Sequence, residues 1–329
     1  MERSFPTNNQ HSITFFNVNS DRRLNPKEII GRSFNELTGE SRYPDVINYI
    51  FTQLDKNNII CLCEIDSLFI ELLTNKLLQK KEYKMIYNHY NSDKGSFYFV
   101  IIFCEEKYKL IESKLLCLTS DGKPIADEER VLNTKAYGRK EYEQRTLFDN
   151  FEKGALLTKF IDNVSNESFL IIITHIGLSN RAKLAQASKI LEYLSEYKDE
   201  SIIFGGDLNA FNSEIKEPVM LMDLINIFKN NGWNWRTKEL ETTIRVYPFD
   251  IFFKLDEEDF DKYHFLKNLN IPKEFRSFCE EKAKEKGTDG LALDHIFTWK
   301  FEKDIKITTE LPYEKGVQLS DHYLVKMQF

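Results

Sequence analysis

Five short segments of this chain end an apolar run in a polar or acidic side chain. They are Phe15-Phe16-Asn17-Val18-Asn19, Cys61-Leu62-Cys63-Glu64, Ile173-Thr174-His175, Phe204-Gly205-Gly206-Asp207-Leu208-Asn209 and Leu319-Ser320-Asp321-His322. Short apolar runs rich in β-branched and aromatic residues read as strands, and α/β scaffolds gather reactive groups at strand ends. Together the segments offer carboxylates at Glu64, Asp207 and Asp321, neutral oxygens at Asn17, Asn19 and Asn209, and imidazoles at His175 and His322. Hard oxygen donors with few nitrogen or sulfur ligands suit Mg2+ or Mn2+. Each piece alone also has a plain structural explanation. Asp-x-Asn after two glycines is usually a turn, Glu64 can lead into a helix, His175 can be a buried structural histidine, and Asp321 can cap a turn. Cys61-Leu62-Cys63 does not read as a metal pair, because it sits in an apolar strand and no matching Cys/His pair occurs elsewhere.

The elements that would position these groups alternate between strand and helix periods. Strands are expected at Ser12–Val18, Ile59–Glu64, Tyr83–Asn88, Ser96–Cys104, Lys109–Leu118, Ala155–Phe160, Phe169–His175, Ser201–Phe204, Leu291–Thr298, Ile305–Thr309 and His322–Met327. Helical spacing appears at Tyr43–Leu54, at Ser67–Leu78 with Ser67 as N-cap, from a Ser179 cap to about Tyr197, and at Met220–Asn230. Adjacent strand pairs mixed with helices in this order indicate two packed sheets with helices outside, rather than one parallel sheet. No linker divides the chain, so one domain spans residues 1–329. Two polar excursions, at about 119–144 and 255–287, read as insertions on it.

Composition narrows the class. Hydrophobic residues make up 42%, enough for a sizeable core, and 26 Phe with 15 Tyr make that core aromatic. A net charge of −7 argues against a nucleic-acid coat protein or a polybasic membrane binder. It leaves room for bound divalent cations beside clustered carboxylates. No basic stretch leads into an apolar run at the start, and no segment is long and apolar enough to span a bilayer. With an odd number of cysteines, 5, the expected setting is cytoplasmic with reduced thiols, or outside the cell by a route without a classical signal peptide.

The order of the motifs resembles the DNase I-like endonuclease/exonuclease/phosphatase superfamily. Its pattern is an early Asn, a Glu after the second strand, a Thr-His pair, Gly-Asp-x-Asn, a late strand Asp and a terminal Ser-Asp-His. These match Asn17, Glu64, Thr174-His175, Gly206-Asp207-Leu208-Asn209, Asp294 and Ser320-Asp321-His322, spread over nearly the whole chain. The resemblance implies a four-layer α/β/β/α sandwich of two mostly antiparallel sheets with outer helices, acting as a metal-dependent phosphoesterase. It implies that Glu64 holds Mg2+ or Mn2+, with Asn17, Asn19 or Asp321 nearby. Asp207 orients or deprotonates water, Asn209 binds phosphate, and His322 binds or protonates phosphoryl oxygens. Asp294 fixes the His322 tautomer and His175 donates to the transition state. Which of Asp207 and His322 is the working base stays open. Similar enzymes carry an Arg after the Thr-His loop and a Gln further on, here Arg181 and Gln186, and Arg139 in the first excursion is a further phosphate-binding candidate. His295 alternates to the opposite face from Asp294 and reads as structural.

Three substrates or roles compete. Leu293-Asp294-His295-Ile296-Phe297 and the Ser320-Asp321-His322 ending resemble the nucleic-acid branch, which makes a phosphodiesterase acting on nucleic acid the favoured reading. Inositol 5-phosphatases carry a Pro-x-Trp-x-Asp-Arg motif whose Trp and Arg are missing at Leu291–His295. A sphingomyelinase-like, lipid-directed activity would use Trp233, Trp235 and Phe249–Phe253 as an apolar rim, although a packed edge strand explains those residues as well. A non-catalytic binding module would show lost acids, and none is lost. The chain is expected to act as a monomer.

Overall fold

The computed structural model describes residues 11–18, 43–92, 95–118, 153–177, 180–210, 223–240, 244–245, 290–310, 312–314, 317–318, 320 and 322–329. The expectations at Asn19, Arg139, Ser179 and Asp321, both polar excursions, Phe249–Phe253 and the Arg181 side chain lie outside the described residues. In chain order the elements are β1 (Ser12–Asn17), α1 (Tyr43–Thr52), β2 (Asn58–Ile65), α2 (Ser67–Leu77), β3 (Tyr83–Ser92), β4 (Gly95–Cys104), β5 (Tyr108–Cys117), β6 (Gly154–Asp162), β7 (Ser168–His175), α3 (Asn180–Leu194) with a 3-10 turn (Ser195–Tyr197), β8 (Ile202–Asp207), α4 (Asp223–Asn230), β9 (Asn234–Trp235), β10 (Ile244–Arg245), β11 (Gly290–Leu291), β12 (Asp294–Trp299), β13 (Lys306–Glu310), β14 (Tyr313–Glu314), β15 (Val317–Gln318) and β16 (Leu324–Gln328).

Two six-stranded sheets carry the fold. The first has the order β13-β16-β1-β2-β4-β3, and the second β5-β6-β7-β8-β12-β9. Among the described residues β1 and β2 pair in parallel, as do β7 and β8, and every other pairing is antiparallel. Each sheet thus has one central parallel pair, and the two pairs deliver their C-terminal ends to the same cluster.

Alternation along the strands builds the layers. In β2, Ile59, Cys61 and Cys63 join a core cluster with Phe15 of β1 and with Ile171, Ile173, Ile203 and Ile296 from the second sheet. Ile60 and Leu62 face the other way, into a cluster with Val46, Ile47 and Ile50 of α1 and Phe69 and Leu73 of α2. In the second sheet Leu170, Ile172, Ile202 and Phe204 do the same against Ala187 and Ile190 of α3 and Ile225 and Phe228 of α4. One apolar layer between sheets and one under each helical face make a four-layer α/β/β/α sandwich. Strands buried on both faces explain the continuous apolar runs in the sequence, and each fully buried Ile or Phe contributes roughly 1.5–3 kcal/mol.

Two local readings change. The N-cap of α2 is Asp66, not Ser67: its side chain accepts the Phe69 backbone N–H at 2.8 Å and also the Tyr43 hydroxyl at 2.6 Å. Asp outcompetes Ser here because a charged acceptor meets both donors at once. The Leu291–Thr298 strand is broken into β11 and β12, with Ala292 and Leu293 buried between them.

Candidate active site

The register fixes where the polar strand ends meet. In the parallel β7/β8 ladder His175 stands opposite Asp207, and in the antiparallel β8/β12 ladder Asp207 stands opposite Asp294. His175 follows Ile171 and Ile173, Asp207 follows Ile203 and Gly205, and Asp294 precedes Ile296, so all three share the parity that faces the other sheet. Asn17 continues the inward parity of Ile13 and Phe15. Glu64 breaks parity. Simple alternation would send it outward after Ile60 and Leu62, but the β2/β4 register shifts between Leu62 and Ile65 and Glu64 takes φ +56°. That irregularity turns its carboxylate toward the second sheet.

Three polar contacts then cross between the sheets. Asn17 Nδ2 donates to Asp207 Oδ2 at 3.0 Å. Glu64 Oε1 lies 3.2 Å from His175 Nδ1. His322 Nδ1–H donates to Asp294 Oδ2 at 2.8 Å. Both imidazoles present Nε2 to the same oxygen, Asp207 Oδ2, at 3.7 Å each. Each ring therefore has a carboxylate behind it and the shared Asp207 before it. A carboxylate on Nδ1 fixes the tautomer and leaves Nε2 of His322 as an acceptor facing the site, 3.4 Å from Asn17 Nδ2. Ser320 ties this end together, its hydroxyl donating to Asn17 O at 2.8 Å and accepting the His322 backbone N–H at 3.1 Å.

Glu64, His175, Asp207, Asp294 and His322 are each at least nine-tenths buried. Burial first, with Asp294 and Glu64 adding like charge, pushes the Asp207 carboxyl up to about 7, against the pull of His322 and the Asn209 amide. The thiol of Cys63, on the core face beneath, is also raised by burial and by Asp207. An oxygen-rich, buried and mutually repelling set of carboxylates fits a hard divalent cation, which would relieve that repulsion. Donor atoms of Asp207, Asp294 and His322 all lie within 4.8 Å of one another. Asp294 and His322 already satisfy each other, however, and Glu64 stands outside that group against His175. The Asp294–His322 pair is therefore better matched to holding a proton than to holding a metal.

Asn209 is engaged in part within the fold. It takes φ +49°, its backbone N–H caps Asp207 Oδ1 at 2.9 Å, and its side-chain Nδ2 donates to Ile176 O at 2.8 Å. One of its two amide hydrogens thus braces the loop after β7. His295 is structural, as its parity predicts. Burial holds it neutral, down to about 4, with Nε2–H donating to Ala210 O at 2.6 Å and Trp235 and Thr237 on Nδ1. Trp233 packs into the core beside α4, and Trp235 lies on edge strand β9 with its Nε1 on Thr237. Sequence reasoning gave Ser320 and Gln186 no role of their own. The signal for Ser320 was its place in the Ser-Asp-His ending; Gln186 had only its spacing from Arg181.

No protein-family model and no curated protein sequence matches the chain. Solved structures do match in fold. An endonuclease/exonuclease/phosphatase family protein from Bacteroides thetaiotaomicron is 14% identical, with 97% of each chain covered and a TM-score of 0.57. The mannosyl-6-phosphatase Bt3783 of the same organism is 13% identical, covering 97% of this chain and 99% of that one, with a TM-score of 0.55. TDP2 from D. rerio, complexed with single strand DNA product, is 13% identical, covering 97% and 98%, with a TM-score of 0.55. The chain has the DNase I-like fold of these proteins.

Proposed function

We propose that this chain is a hydrolase of phosphate esters that uses water as the nucleophile, and that its substrate is a nucleic-acid phosphodiester. The observation that carries the reading is the convergence of Asn17, Glu64, His175, Asp207, Asp294 and His322 from the ends of two sheets onto one buried cluster centred on Asp207. Glu64 would hold a Mg2+ or Mn2+ ion, with Asn17, Asn19 or Asp321 nearby, and the ion would neutralise phosphate charge and the leaving oxygen.

Asp207 positions the attacking water and takes its proton. A carboxyl with proton affinity near neutrality is matched to that task, and Asn17 and the Asn209 backbone fix its two oxygens. The water oxygen bonds to phosphorus as the ester P–O bond breaks. In their doubly protonated forms His322, with Nδ1–H on Asp294, and His175, backed by Glu64, place Nε2–H groups on the phosphoryl oxygens as charge accumulates there. Arg139, Arg181 and the second amide hydrogen of Asn209 are the proposed phosphate contacts, and Asn19 and Asp321 the proposed additional metal ligands. A nucleic-acid substrate is favoured over a lipid because Trp233 and Trp235, the aromatic residues expected to touch an apolar surface, are engaged in packing. Among the described residues no helix is long and apolar enough to cross a membrane.

The test is hydrolysis of single-stranded DNA, RNA, sphingomyelin and phosphoinositides with Mg2+, with Mn2+ and with EDTA, beside Asp207→Asn. Metal-dependent cleavage of a nucleic acid is expected, with Asp207→Asn lowering kcat by about 10²–10⁴-fold. In parallel, Mg2+ or Mn2+ should raise the Tm of the wild type and not that of Glu64→Gln. If no ester is cleaved in a metal-dependent way that Asp207→Asn abolishes, the reading fails.

A further inference from the structure

The strand ladder of the second sheet stops one residue past His175. Ile176 N–H still donates to Asp207 O at 2.9 Å, the last step of the β7/β8 pairing. The next amide, Gly177 N–H, has passed the end of the ladder, and Gln186 Oε1 accepts it at 2.9 Å from helix α3. The carbonyl of the same peptide unit, Ile176 O, accepts Asn209 Nδ2 at 2.8 Å. One peptide plane, directly after His175, is therefore held at both ends by buried side-chain amides. Because Gly177 offers a donor, the Gln186 amide orientation is forced, with oxygen toward the loop.

That orientation leaves Gln186 Nε2 fully buried and, among the described residues, without a hydrogen-bond partner. A buried unmet donor is destabilising, and an apolar side chain of the same shape would only exchange it for an unmet Gly177 N–H, so the two are close in stability. Stability alone does not account for glutamine at this place. We propose that Gln186 is a positioning residue: by fixing the Ile176–Gly177 peptide together with Asn209, it sets the direction in which β7 ends and so holds the His175 ring between Glu64 and Asp207. The inference rests on the hydrolase reading for its kinetic consequence, while its geometric content concerns the fold alone.

Gln186→Met keeps the length and loses the acceptor; Gln186→Glu keeps an acceptor oxygen at the same reach. In Gln186→Met the kcat should fall by about 10–100-fold with KM little changed, since a misplacement of about 1 Å at a reacting group has that scale of effect. Its Tm should change little, because an unmet Gly177 N–H replaces the unmet Gln186 Nε2. Gln186→Glu should recover most of the lost turnover. In a His175→Ala background Gln186→Met should add no further loss, because both changes remove one function. An additive loss, or a drop in Tm that tracks the loss of turnover across both variants, overturns the proposal. A second readout separates this from the hydrolase reading. By NMR, the Gly177 amide and the His175 ring should shift in Gln186→Met and return toward wild type in Gln186→Glu, whether or not any ester is cleaved. Unmoved His175 signals sink the positioning role even if the enzyme is active. An inactive wild type with the expected shifts sinks only the hydrolase reading.

Discussion

Replacing Gly206 by alanine should both destabilise the molecule and disable the site, and the size of the effect follows from the ladder. Gly206 takes φ +131°, a conformation that side chains with a Cβ rarely adopt, and a Cβ built there lies 2.1 Å from Thr174 O. Real Cβ contacts essentially never fall under 3.0 Å, so something must retreat by at least about 0.9 Å (3.0 less 2.1), and the obstacle is backbone rather than a movable side-chain tip. Thr174 and Gly206 are partners in the β7/β8 ladder, and the next rung is His175 opposite Asp207. Relief therefore has to spread the two strands at the residue before both candidate catalytic groups. Backbone strain of roughly 1–3 kcal/mol and overpacking of roughly 1–3 kcal/mol sum to about 2–6 kcal/mol, a large share of a typical domain's stability of about 5–15 kcal/mol. Displacement of Asp207 from Asn17 Nδ2, now 3.0 Å away, should lower turnover by about 10²-fold even in the molecules that fold. Urea unfolding gives the first number and phosphodiester turnover the second. Gly205→Ala is the control: its Cβ would meet Phe15 Cζ at 2.9 Å and His295 O at 3.0 Å, and the ring tip can yield, so its cost should be smaller. A Gly206→Ala protein that loses under about 1 kcal/mol and keeps turnover within a few-fold would refute the argument that this glycine is demanded by the approach of Thr174.

Two further outcomes follow from the polar contacts. Asp294→Asn should lower kcat by about 10²–10⁴-fold with KM nearly unchanged, because a neutral amide cannot stabilise the imidazolium that keeps Nδ1–H on residue 294 while donating from Nε2; a loss under about threefold would show that the carboxylate behind His322 does not matter. At the opposite end of the sandwich, His11 lies 3.1 Å from Asp162 and 2.9 Å from the Tyr108 hydroxyl, and burial first, then Lys107, lowers its proton affinity below the usual imidazole value of 6.5. The unfolded chain then binds the proton more readily than the folded one, so this contribution to stability is present above about pH 6.5 and is lost as pH falls through the lower folded value. Tm measured from about pH 7.5 to about pH 5 should fall more steeply for wild type than for His11→Gln, and equal slopes would count against it.

Much of this architecture was legible because the strands are buried on both faces. Strands such as Phe169–His175 read as uninterrupted apolar runs, and their polar termini stood out against them. Once the strands were placed, period-2 parity alone turned Asn17, His175, Asp207 and Asp294 inward and His295 outward. Parity failed where the backbone departs from a regular strand. Glu64 reaches His175 only through the irregularity after Leu62 and a positive φ, and His322 reaches Asp294 from a segment that precedes β16 rather than from within it. Such departures depend on the competing pull of several partners, which no local spacing encodes. The Asp66 cap was missed for a related reason: Ser67 is an ordinary cap by type, but the Tyr43 hydroxyl that favours Asp66 comes from another helix. Gln186 was invisible as a brace because the amide it holds belongs to the end of a ladder whose length only the register reveals.

The arrangement makes the packing of the two sheets and the geometry of the site one and the same variable. Asn17, Glu64 and His322 come from the first sheet and its flank; His175, Asp207, Asn209 and Asp294 come from the second. Three polar contacts of the cluster, from Asn17 to Asp207, Glu64 to His175 and His322 to Asp294, bridge the gap between them. Beneath these bridges lies the inter-sheet layer, where Phe15 sits two residues before Asn17 and reaches close enough to Gly205 that no larger residue fits without displacing its ring. Close-packed interiors transmit small volume changes rather than absorbing them, so the spacing across the cluster is set by the side chains of that layer. A substitution there that shifts one sheet by a fraction of an ångström alters all three bridges together, whereas the same substitution under a helical face leaves them intact. The acids themselves oppose this closure, since burial and mutual repulsion already raise the proton affinity of Asp207. The apolar layer must therefore hold against an electrostatic load at its rim, and binding of a divalent cation between the carboxylates would remove that load and tighten the two sheets at the point where the chemistry is proposed to occur.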